Sequence, residues 1–543
     1  MEAGLSPAGA VHSAQTDRFV HERLPPPAHW PQILLPDGFA RRVPLNCVDC
    51  LVDAHVRSGR ARRPALISSG GTITYGELHD IIGRMAHVLV DDFGIVPGNR
   101  VLLRAPNSPT LAALWLAVLR TGAVAVTTMS LLRAGELGTI LDMARPSLAV
   151  CDADLAGELE AALAASGSQC ALVTFSPSGG ELAERMRRHD PVFPPCPTGS
   201  DDVALIGFTS GTTGRPKATV HFHRDVIAIC QAVARHVIRP VRDDIFIGTS
   251  PLAFTFGLGG LVIFPLWAGA ASVLEPRYSA ESPVEAIERH RASVCFTVPT
   301  FYQRMVAAVS PPRAASLRLA VSSGEALPVP VRETWREASG VGLSELLGST
   351  EMLHAFVGST ADEAKSGYIG RAIPGYRVAV LDPDGRALPP GEIGALAVVG
   401  PTGCRYLDDP RQQDYVRFGW NVTGDACSIG EEGHVAYHCR FDDMIISAGY
   451  NISAAEVENV VLDHPDVAEC AVIGTPDPER GEVVTAYVVP RHRTNHEDAF
   501  ADGIRLHVRE RPAPYKYPRK VFVVSELPRN ESGKLQRFRL RSG

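Results

Sequence analysis

The stretch Thr209–Lys217 reads TSGTTGRPK and decides how the rest of the chain is interpreted. It follows the apolar run VALIGF, which is typical of a buried strand. Glycines let backbone N–H groups turn inward, and serine and threonine hydroxyls add donors, so a loop of this composition can bind phosphate. The pattern G-x-x-x-x-G-K-[ST] of ordinary NTPases is not met, because Pro216 has no N–H group and Ala218 cannot hold Mg²⁺. We therefore expect phosphate chemistry of another kind.

The length and composition indicate a large globular protein. A chain of 543 residues is too long for one core and predicts two to four domains. The net charge of -7 argues against non-specific binding to nucleic acid or to an anionic membrane. The first residues show no basic segment followed by an apolar one, and no apolar run has the length of a membrane span. We expect a cytoplasmic protein with no nucleic-acid or membrane partner.

The cysteines do not predict a metal site. Eleven cysteines in a chain of this size are too few for a disulfide scaffold. Cys47 and Cys50 form a CxxC pair at the start of a helical pattern, without a second pair, and a buried helix face explains them better. A second group matches no common zinc spacing and alternates like a strand: Cys427, His434, His438 and Cys439.

The order of patterns predicts an α/β fold. Strand and helix patterns alternate from Asn46 onward, with a capping box of Thr74 and Glu77 at one helix start, and this alternation predicts stacked α/β layers with mostly parallel sheet. After Pro374, turn signals between alternating strands predict a barrel-like β subdomain. Beyond it follows a compact α+β pattern of about a hundred residues. We predict a large N-terminal domain (residues 1–441) and a small mobile C-terminal domain (residues 442–543).

Five motifs in order resemble the core motifs of the acyl-adenylate-forming superfamily. They are TSGTTGRPK, GSTE (348–351), TGD (423–425), RFDDMIISAGYN (440–451) and NESGK (530–534). The superfamily includes acyl- and aryl-CoA ligases, carrier-loading adenylation domains and luciferase. The resemblance covers nearly the whole chain and implies ATP, Mg²⁺ and coenzyme A as cofactors.

The resemblance assigns the phosphate and metal contacts. Glu351 would hold Mg²⁺ as a single hard carboxylate, and Thr350 would contact the α-phosphate. The opening loop suits the β- and γ-phosphate oxygens, because pyrophosphate leaves as a unit and the loop itself needs no metal. Its phosphate-binding residues would be Thr209, Ser210, Gly211, Thr212, Thr213, Gly214 and Lys217.

The resemblance also assigns the nucleoside contacts. Asp425 would accept hydrogen bonds from both ribose hydroxyls, with Arg440 nearby as a donor. The segment SSGEALP resembles the one that passes beside the adenine, where Gly324 allows close backbone approach and Glu325 follows it.

A catalytic lysine and a moving lid are implied as well. Lys534 would stabilise the charge that develops at the α-phosphate and the attacking carboxylate. In the resembling family the C-terminal domain rotates between the two half-reactions, here about Asp442. Gly449 would then line the route of the thiol, since a pantetheine arm needs close backbone passage.

The residues in and around the motifs are most similar to those of the benzoate and 2-aminobenzoate–CoA ligase branch. Salicylate is close in shape to these two acids. Phe254 stands where members that activate aliphatic acids often have a histidine, and a flat apolar acid would pack against it. His354 follows Glu351 by three residues and could contact a carboxylate or a ring substituent, and His223 lies close to the family's active-site histidine. With Gly324 these residues form the predicted substrate pocket.

The leading hypothesis is an aryl-CoA ligase that forms aryl-AMP and pyrophosphate from an aromatic acid and ATP. A stand-alone aryl-AMP ligase that loads the phosphopantetheine of a carrier protein is an alternative. A non-catalytic nucleotide-binding paralogue is a third, although it predicts loss of Lys534, Glu351 or Asp425, which are all present. A kinase-like transferase is disfavoured by the broken P-loop pattern.

Overall fold

A computed structural model describes residues 12–35, 44–176, 179–209, 216–276, 282–311, 313–360, 363–365, 367–441, 444–447, 450–477, 480–492, 496–509, 517–529 and 535–541. Within these ranges, every helix is too short or too polar to cross a membrane.

The N-terminal part contains two sheets whose strands alternate with helices. In chain order the strands are β1 (Pro64–Ser68), β2 (Gly71–Thr74), β3 (Arg100–Arg104), β4 (Val124–Thr128), β5 (Leu148–Asp152), β6 (Ala171–Phe175), β7 (Val203–Thr209), β8 (Lys217–Phe222), β9 (Ile245–Gly248), β10 (Ala271–Val273), β11 (Val294–Thr297), β12 (Leu319–Ser322), β13 (Leu343–Gly348), β14 (Ala355–Gly358) and β15 (Arg371–Ala372).

Both sheets are parallel in their centres; the larger sheet is antiparallel at both edges and the smaller sheet at one. The larger sheet has the order β15-β14-β13-β12-β11-β9-β10-β1-β2, and only its outer pairs are antiparallel. The smaller sheet has the order β6-β5-β3-β4-β7-β8, with β7 and β8 antiparallel. Central strands such as β3 and β5 are buried along their whole length, as expected for parallel strands covered on both faces.

Helices cover and separate these sheets. They are α1 (Tyr75–His87), α2 (Pro109–Arg120), α3 (Ala134–Ala144), α4 (Ala156–Ser166), α5 (Glu181–Met186), α6 (His223–Ile229), α7 (Thr255–Leu258), α8 (Phe264–Ala268), α9 (Ser282–His290), α10 (Pro299–Met305) and α11 (Val329–Ser339). The predicted capping box at the start of α1 is confirmed, because the Thr74 side chain accepts from Glu77 N and Glu77 accepts from Thr74 N. Helix α2 contacts strands of both sheets and is buried from Leu111 to Arg120.

A separate antiparallel sheet follows, as the turn-rich pattern predicts. Its strands are β16 (Arg377–Leu381), β17 (Gly394–Val399), β18 (Val416–Arg417), β19 (Trp420–Ile429) and β20 (Val435–Arg440), and α12 (Gln412–Tyr415) precedes β18. The link between β17 and α12 returns to the smaller sheet of the N-terminal part, where Thr219 and Tyr406 form an isolated bridge.

The C-terminal part has its own sheet and core. It comprises β21 (Ile445–Ser447), β22 (Tyr450–Ile452), α13 (Ala454–Leu462), β23 (Val467–Asp477), β24 (Gly481–Pro490), α14 (Glu497–Arg509), β25 (Lys520–Val523) and α15 (Arg537–Arg541). A separate hydrophobic cluster, including Val457, Val472 and Ile504, fills it. The predicted fold, a large α/β part with a β subdomain and a small α+β part, is confirmed. The boundary at residue 442 stays a prediction, because Asp442 lies outside the described residues.

A buried ion pair under α2 gives a test of the core. The guanidinium of Arg120 contacts Asp53, both side chains are almost fully buried, and Nε and Nη1 of Arg120 have no other partner among the described residues. Asp53→Ala would leave this charge buried and uncompensated, so we expect a loss of about 3–5 kcal/mol in the free energy of unfolding. Urea unfolding followed by circular dichroism measures it.

Asp80→Ala is the matched control, because the Asp80 side chain is 59% exposed and, among the described residues, its one ion pair is with the partly exposed ring of His79. We expect it to change the free energy of unfolding by less than about 0.5 kcal/mol. Equal losses in the two variants would show that the Arg120–Asp53 pair does not matter for stability.

Candidate active site

The two ends of the opening motif lie in paired strands. Strands β7 and β8 pair antiparallel, and their register places Thr209 directly opposite Lys217. Thr209 and Lys217 therefore stand at the base of the predicted phosphate loop. Ser210, Gly211, Thr212, Thr213 and Gly214 lie outside the described residues.

The GSTE motif packs against this hairpin. Thr350 and Glu351 begin a short 3-10 helix, Thr350–Met352, directly after β13. His221 of β8 contacts the carbonyl oxygen of Thr350 through Nε2 at 2.7 Å. Strand β7 comes equally close, because a Cβ atom on Gly207 would lie 2.8 Å from Cγ2 of Thr350. The sequence analysis missed His221, although the period of two in β8 places it on the same face as Lys217.

Tyr406 joins the two motifs. The link that carries it runs along β8, with Val220 N donating to Arg405 O and Leu407 N donating to Ala218 O, each at 2.8 Å. The Tyr406 hydroxyl donates to Oε1 of Glu351 at 2.6 Å and accepts from Nζ of Lys217 at 3.3 Å. We call these three residues the Lys217–Tyr406–Glu351 group. No sequence signal pointed to Tyr406, because the pairing of this link with β8 is a tertiary contact.

Burial sets the protonation of Tyr406. Burial, and then the neighbouring carboxylate of Glu351, raise the pKa of Tyr406 far above its usual value. The phenol therefore stays protonated and donates to Glu351 at neutral pH. Glu351 is only 8% exposed, so its carboxylate is held by the phenol hydroxyl rather than by bulk water.

The group has the donor set expected for a metal–triphosphate site. A buried carboxylate oxygen is a hard ligand of the kind that Mg²⁺ prefers, and Mg²⁺ usually takes one or two carboxylates together with substrate phosphates. Lys217 adds a positive charge at the base of the phosphate loop. These residues therefore fit Mg²⁺ and a nucleotide phosphate.

Asp425 and Arg440 meet across two strands. Strand β19 pairs with β20 so that Asp425 stands opposite Arg440, and Nη1 of Arg440 donates to Oδ1 of Asp425 at 2.9 Å. The same nitrogen donates to the carbonyl oxygen of Thr423 at 3.0 Å. Although partial desolvation would lower it, the contact with Asp425 raises the pKa of Arg440 above its usual value, so the guanidinium stays charged. A buried, oriented carboxylate of this kind can accept hydrogen bonds from vicinal hydroxyls.

Gly324 and Glu325 lie where β12 ends, and Glu325 contacts the C-terminal part. Gly324 has a φ of +90°, a conformation that favours glycine. Oε2 of Glu325 accepts from the Thr300 hydroxyl at 2.6 Å, and Oε1 lies 3.7 Å from the Arg529 guanidinium. Arg529 also pairs with Glu469 at 2.9 Å. Of these contacts, the one between Glu325 and Arg529 joins the C-terminal part to the predicted adenine segment.

His354 lies in an aromatic cluster. Its ring centroid is 4.7 Å from that of Phe264 and 5.8 Å from that of Phe256, which in turn lies 5.4 Å from Phe296. A Cβ atom on Gly259 would lie 2.3 Å from the imidazole, so a glycine is required there. Burial lowers the pKa of His354 to about 3, which keeps the ring neutral. Among the described residues, neither ring nitrogen has a hydrogen-bond partner of acceptable geometry.

Two other predicted pocket residues are placed differently. Phe254 precedes α7 and is half-buried, two residues before the Phe256 ring that contacts His354. His223 is fully buried at the start of α6, where Nδ1 lies 3.2 Å from Sγ of Cys47, and burial lowers its pKa to about 4. The structure brings His221 rather than His223 to Thr350. The pocket role of His223 therefore stays a prediction without a contact that supports it.

Three predicted residues of the C-terminal part cannot be placed. Asp442, Gly449 and Lys534 lie outside the described residues. Their roles as hinge, thiol route and catalytic lysine stay predictions.

Two family models match the chain. The AMP-binding enzyme model covers residues 53–405, and the AMP-binding enzyme C-terminal domain model covers residues 456–534. The first contains the hairpin and the GSTE motif, and the second contains the NESGK motif.

Similar proteins match over nearly the whole chain. The benzoate–CoA ligase of Thauera aromatica is 32% identical over 519 residues, which cover 94% of this chain and 97% of that protein. The p-hydroxybenzoic acid–AMP ligase of Mycobacterium marinum is 33% identical over 504 residues, covering 91% of this chain and 69% of that protein. The crystal structure of an anthranilate CoA ligase in complex with anthranoyl-AMP has a TM-score of 0.87 and 28% identity, covering 92% of this chain and 97% of that one.

These matches confirm the resemblance found in the five motifs. The first family model alone spans more than half of the chain, and the benzoate–CoA ligase of Thauera aromatica aligns over 94% of it. The chain therefore belongs to the AMP-binding enzyme family, as an enzyme of the acid–thiol ligase class.

Proposed function

We propose that this enzyme uses ATP to activate an aromatic carboxylic acid of the benzoate, 2-aminobenzoate or salicylate type and transfers the acyl group to coenzyme A. The observation that carries the proposal is the Lys217–Tyr406–Glu351 group at the base of the phosphate loop. It offers a positive charge and a held carboxylate to a metal-bound triphosphate. The aromatic cluster around His354 offers an apolar wall to a ring.

In the first half-reaction a carboxylate oxygen of the acid attacks the α-phosphorus. The new O–P bond forms as the bond to the β-phosphate oxygen breaks, which gives aryl-AMP and pyrophosphate. Lys217 would neutralise charge on the departing pyrophosphate, and Thr350 would contact the α-phosphate. Asp425, held by Arg440, would orient the nucleotide through its ribose hydroxyls.

Glu351 would hold Mg²⁺, and the ion would supply charge neutralisation at the phosphate oxygens. The protein's part is to hold the carboxylate in the correct orientation. The hydrogen bond from Tyr406 does this, because an outer partner fixes the geometry of a metal-binding carboxylate.

Lys534 would stabilise the developing charge in the first half-reaction and then leave the site. In the second half-reaction the thiol sulfur attacks the acyl carbon, AMP leaves, and the thiol proton passes to solvent. Residues 442–543 would move as a lid about Asp442, and Gly449 would line the path of the thiol. The 3.7 Å contact between Arg529 and Glu325 is polar and supports a separable seam between the two parts.

The aromatic cluster around His354 supports an aromatic acid. Phe256 is half-buried and would give a flat apolar contact, and among the described residues the ring nitrogens of the neutral His354 have no hydrogen-bond partner of acceptable geometry. A ring substituent or the carboxylate would pair with one of them. Two of the similar proteins are named as ligases of benzoate and anthranilate, which agrees with a ring of this size.

A second candidate function concerns the acceptor. One similar protein is named as an AMP ligase of p-hydroxybenzoic acid, so aryl transfer to a carrier-bound phosphopantetheine is the alternative. Both functions share the first half-reaction and differ only in the thiol.

The test is pyrophosphate release with ATP and Mg²⁺ over benzoate, 2-aminobenzoate, salicylate, a cinnamate and a medium-chain fatty acid, each with and without coenzyme A. We expect release with the benzoate-type acids together with a thioester detected by mass spectrometry. Release without a thioester would favour the carrier-loading alternative. No release with any acid would contradict the proposed activity and favour a non-catalytic paralogue.

The role of Lys534 predicts a split between the two half-reactions. Lys534→Ala should slow aryl-AMP formation by roughly 10²-fold or more, because it removes a cation that acts on the developing charge. Thioester formation from supplied aryl-AMP should change much less, and single-turnover assays of each half measure the difference. Lys520→Ala in β25 is the matched control and should leave both halves unchanged. Equal loss in both halves would make the assignment wrong.

The hydrogen bond to Glu351 predicts a change in the metal requirement. Tyr406→Phe removes the only donor that the described residues give to Glu351, so the apparent affinity for Mg²⁺ in pyrophosphate release should fall by roughly tenfold. A second measurement, Mn²⁺ binding to the enzyme with a non-hydrolysable ATP analogue, followed by electron paramagnetic resonance, should show the same change.

Tyr415→Phe is the matched control for Tyr406→Phe. Its hydroxyl lies 3.3 Å from Oγ of Ser349, and its ring packs edge-on against Tyr406 at 5.8 Å. We expect its Mg²⁺ affinity to stay within about twofold of the wild-type value, since Glu351 keeps its donor. The same weakening in both variants would indicate a general packing effect.

A further inference from the structure

A cluster of metal-ligating side chains lies where α1 ends. His87 is the last residue of α1, Asp91 belongs to the π-helical segment Val88–Asp92, and His189 follows α5. Their ligand atoms all lie within 4.8 Å of one another. We call these residues the His–Asp cluster. None of the residues discussed for catalysis belongs to these elements.

The Nε2 nitrogens of both imidazole rings, which point away from Asp91, act as hydrogen-bond donors. Nε2 of His87 contacts the carbonyl oxygen of Val192 at 3.0 Å, and a carbonyl can only accept. Nε2 of His189 contacts Oδ1 of Asp92 at 2.9 Å, and Asp92 also accepts from Arg185 at 3.1 Å. Both Nε2 atoms therefore carry a hydrogen. A backbone carbonyl or a carboxylate on the outer nitrogen is the arrangement that fixes the tautomer of metal-binding histidines.

The inner nitrogens both face Asp91. Nδ1 of His87 lies 2.7 Å from Oδ2 of Asp91, and Nδ1 of His189 lies 3.9 Å from the same oxygen. In a neutral imidazole whose Nε2 carries the hydrogen, Nδ1 presents a lone pair. Two lone pairs then face a carboxylate oxygen, which is also an acceptor. Although burial would lower it, the hydrogen bonds to Val192 and Asp91 raise the pKa of His87, so a proton can fill the His87–Asp91 contact. A shared cation would satisfy all three atoms.

The spacing suits one small ion. Around a tetrahedral zinc ion with bonds near 2.0–2.1 Å, ligand atoms lie about 3.3 Å apart. The two nitrogen–oxygen distances, 2.7 and 3.9 Å, bracket this value. The ring centroids are 5.6 Å apart, and the His87 and His189 side chains are 23% and 17% exposed, so small rotations and a water ligand are possible.

We propose that the His–Asp cluster binds one divalent transition-metal ion of the zinc type, with water as the fourth ligand. Two imidazoles and one carboxylate suit such an ion better than Mg²⁺ or Ca²⁺, which prefer oxygen ligands. The ion acts as a clip between α1 and the segment after α5. These elements already pass closely, since a Cβ atom on Gly83 would lie 1.7 Å from the carbonyl oxygen of Pro191.

The test is zinc binding by the chelator-treated full-length protein, measured without nucleotide by competition with a chromophoric zinc indicator. We expect one equivalent per chain with a dissociation constant below about 10 μM in wild type. His87→Gln, His189→Gln and Asp91→Asn should each weaken this binding at least tenfold. Substitution of Co²⁺ should give the visible absorption of a tetrahedral site, and His189→Gln should abolish it.

His464→Gln is the matched control. His464 and His507 form another imidazole pair, with ring centroids 5.0 Å apart, outside the His–Asp cluster. It should keep the wild-type zinc affinity, and circular dichroism should confirm that each variant is folded. The proposal would be overturned if the wild-type protein did not bind zinc with a dissociation constant in this range. It would also be overturned if the variants of the His–Asp cluster bound zinc as tightly as the wild type. In that case protons, and not a metal ion, lie between the facing acceptor atoms of the His–Asp cluster.

Discussion

One buried guanidinium holds the halves of the candidate site together. Arg405 is fully buried between the rings of Trp30 and Phe222, with its Cζ atom 4.8 and 4.4 Å from their centroids, and it lies 3.3 Å from Asp225. Burial alone would raise the pKa of Asp225, but Arg405 and the neighbouring His221 outweigh it and lower the pKa to about 2. Because the pair stays ionic, the link that carries Tyr406 is fixed along β8. Glu351, Lys217 and Tyr406 can meet only while this link stays in place.

The site follows the carboxyl ends of parallel strands. Thr300 lies beyond β11, Gly324 and Glu325 follow β12, and Thr350 and Glu351 come directly after β13. In open α/β sheets the loops at this edge are where ligands bind. The ribose candidates Asp425 and Arg440 come from a different sheet, so the site spans the large α/β part and the β subdomain. A short motif is enough at each of these places, because the rigid strand before it already fixes its position.

Local patterns predicted much of this structure, and long-range pairing explains what they missed. The capping box depends on two residues three positions apart, Thr74 and Glu77. The buried strands depend on their own composition. The sequence was therefore enough to predict both features. Tyr406 and His221 act through contacts across 55 and 129 residues, which no local pattern contains. Glu351 was predicted as a metal ligand from its motif, but its burial and its phenol donor depend on the fold.

In the proposed function, the aromatic cluster also limits how the enzyme tells acids apart. A histidine that stays neutral across the physiological range contributes no charge, so a charged ring substituent forms no ion pair there. What His354 would add to an apolar wall is two ring nitrogens, one a donor and one an acceptor. An acid whose substituent pairs with a nitrogen of His354 gains a hydrogen bond. An acid that lacks such a substituent leaves a buried polar atom unpaired. In binding sites this difference gives large ratios of selectivity between the two acids. Selectivity would then follow the hydrogen-bonding pattern of the ring edge and change little with pH.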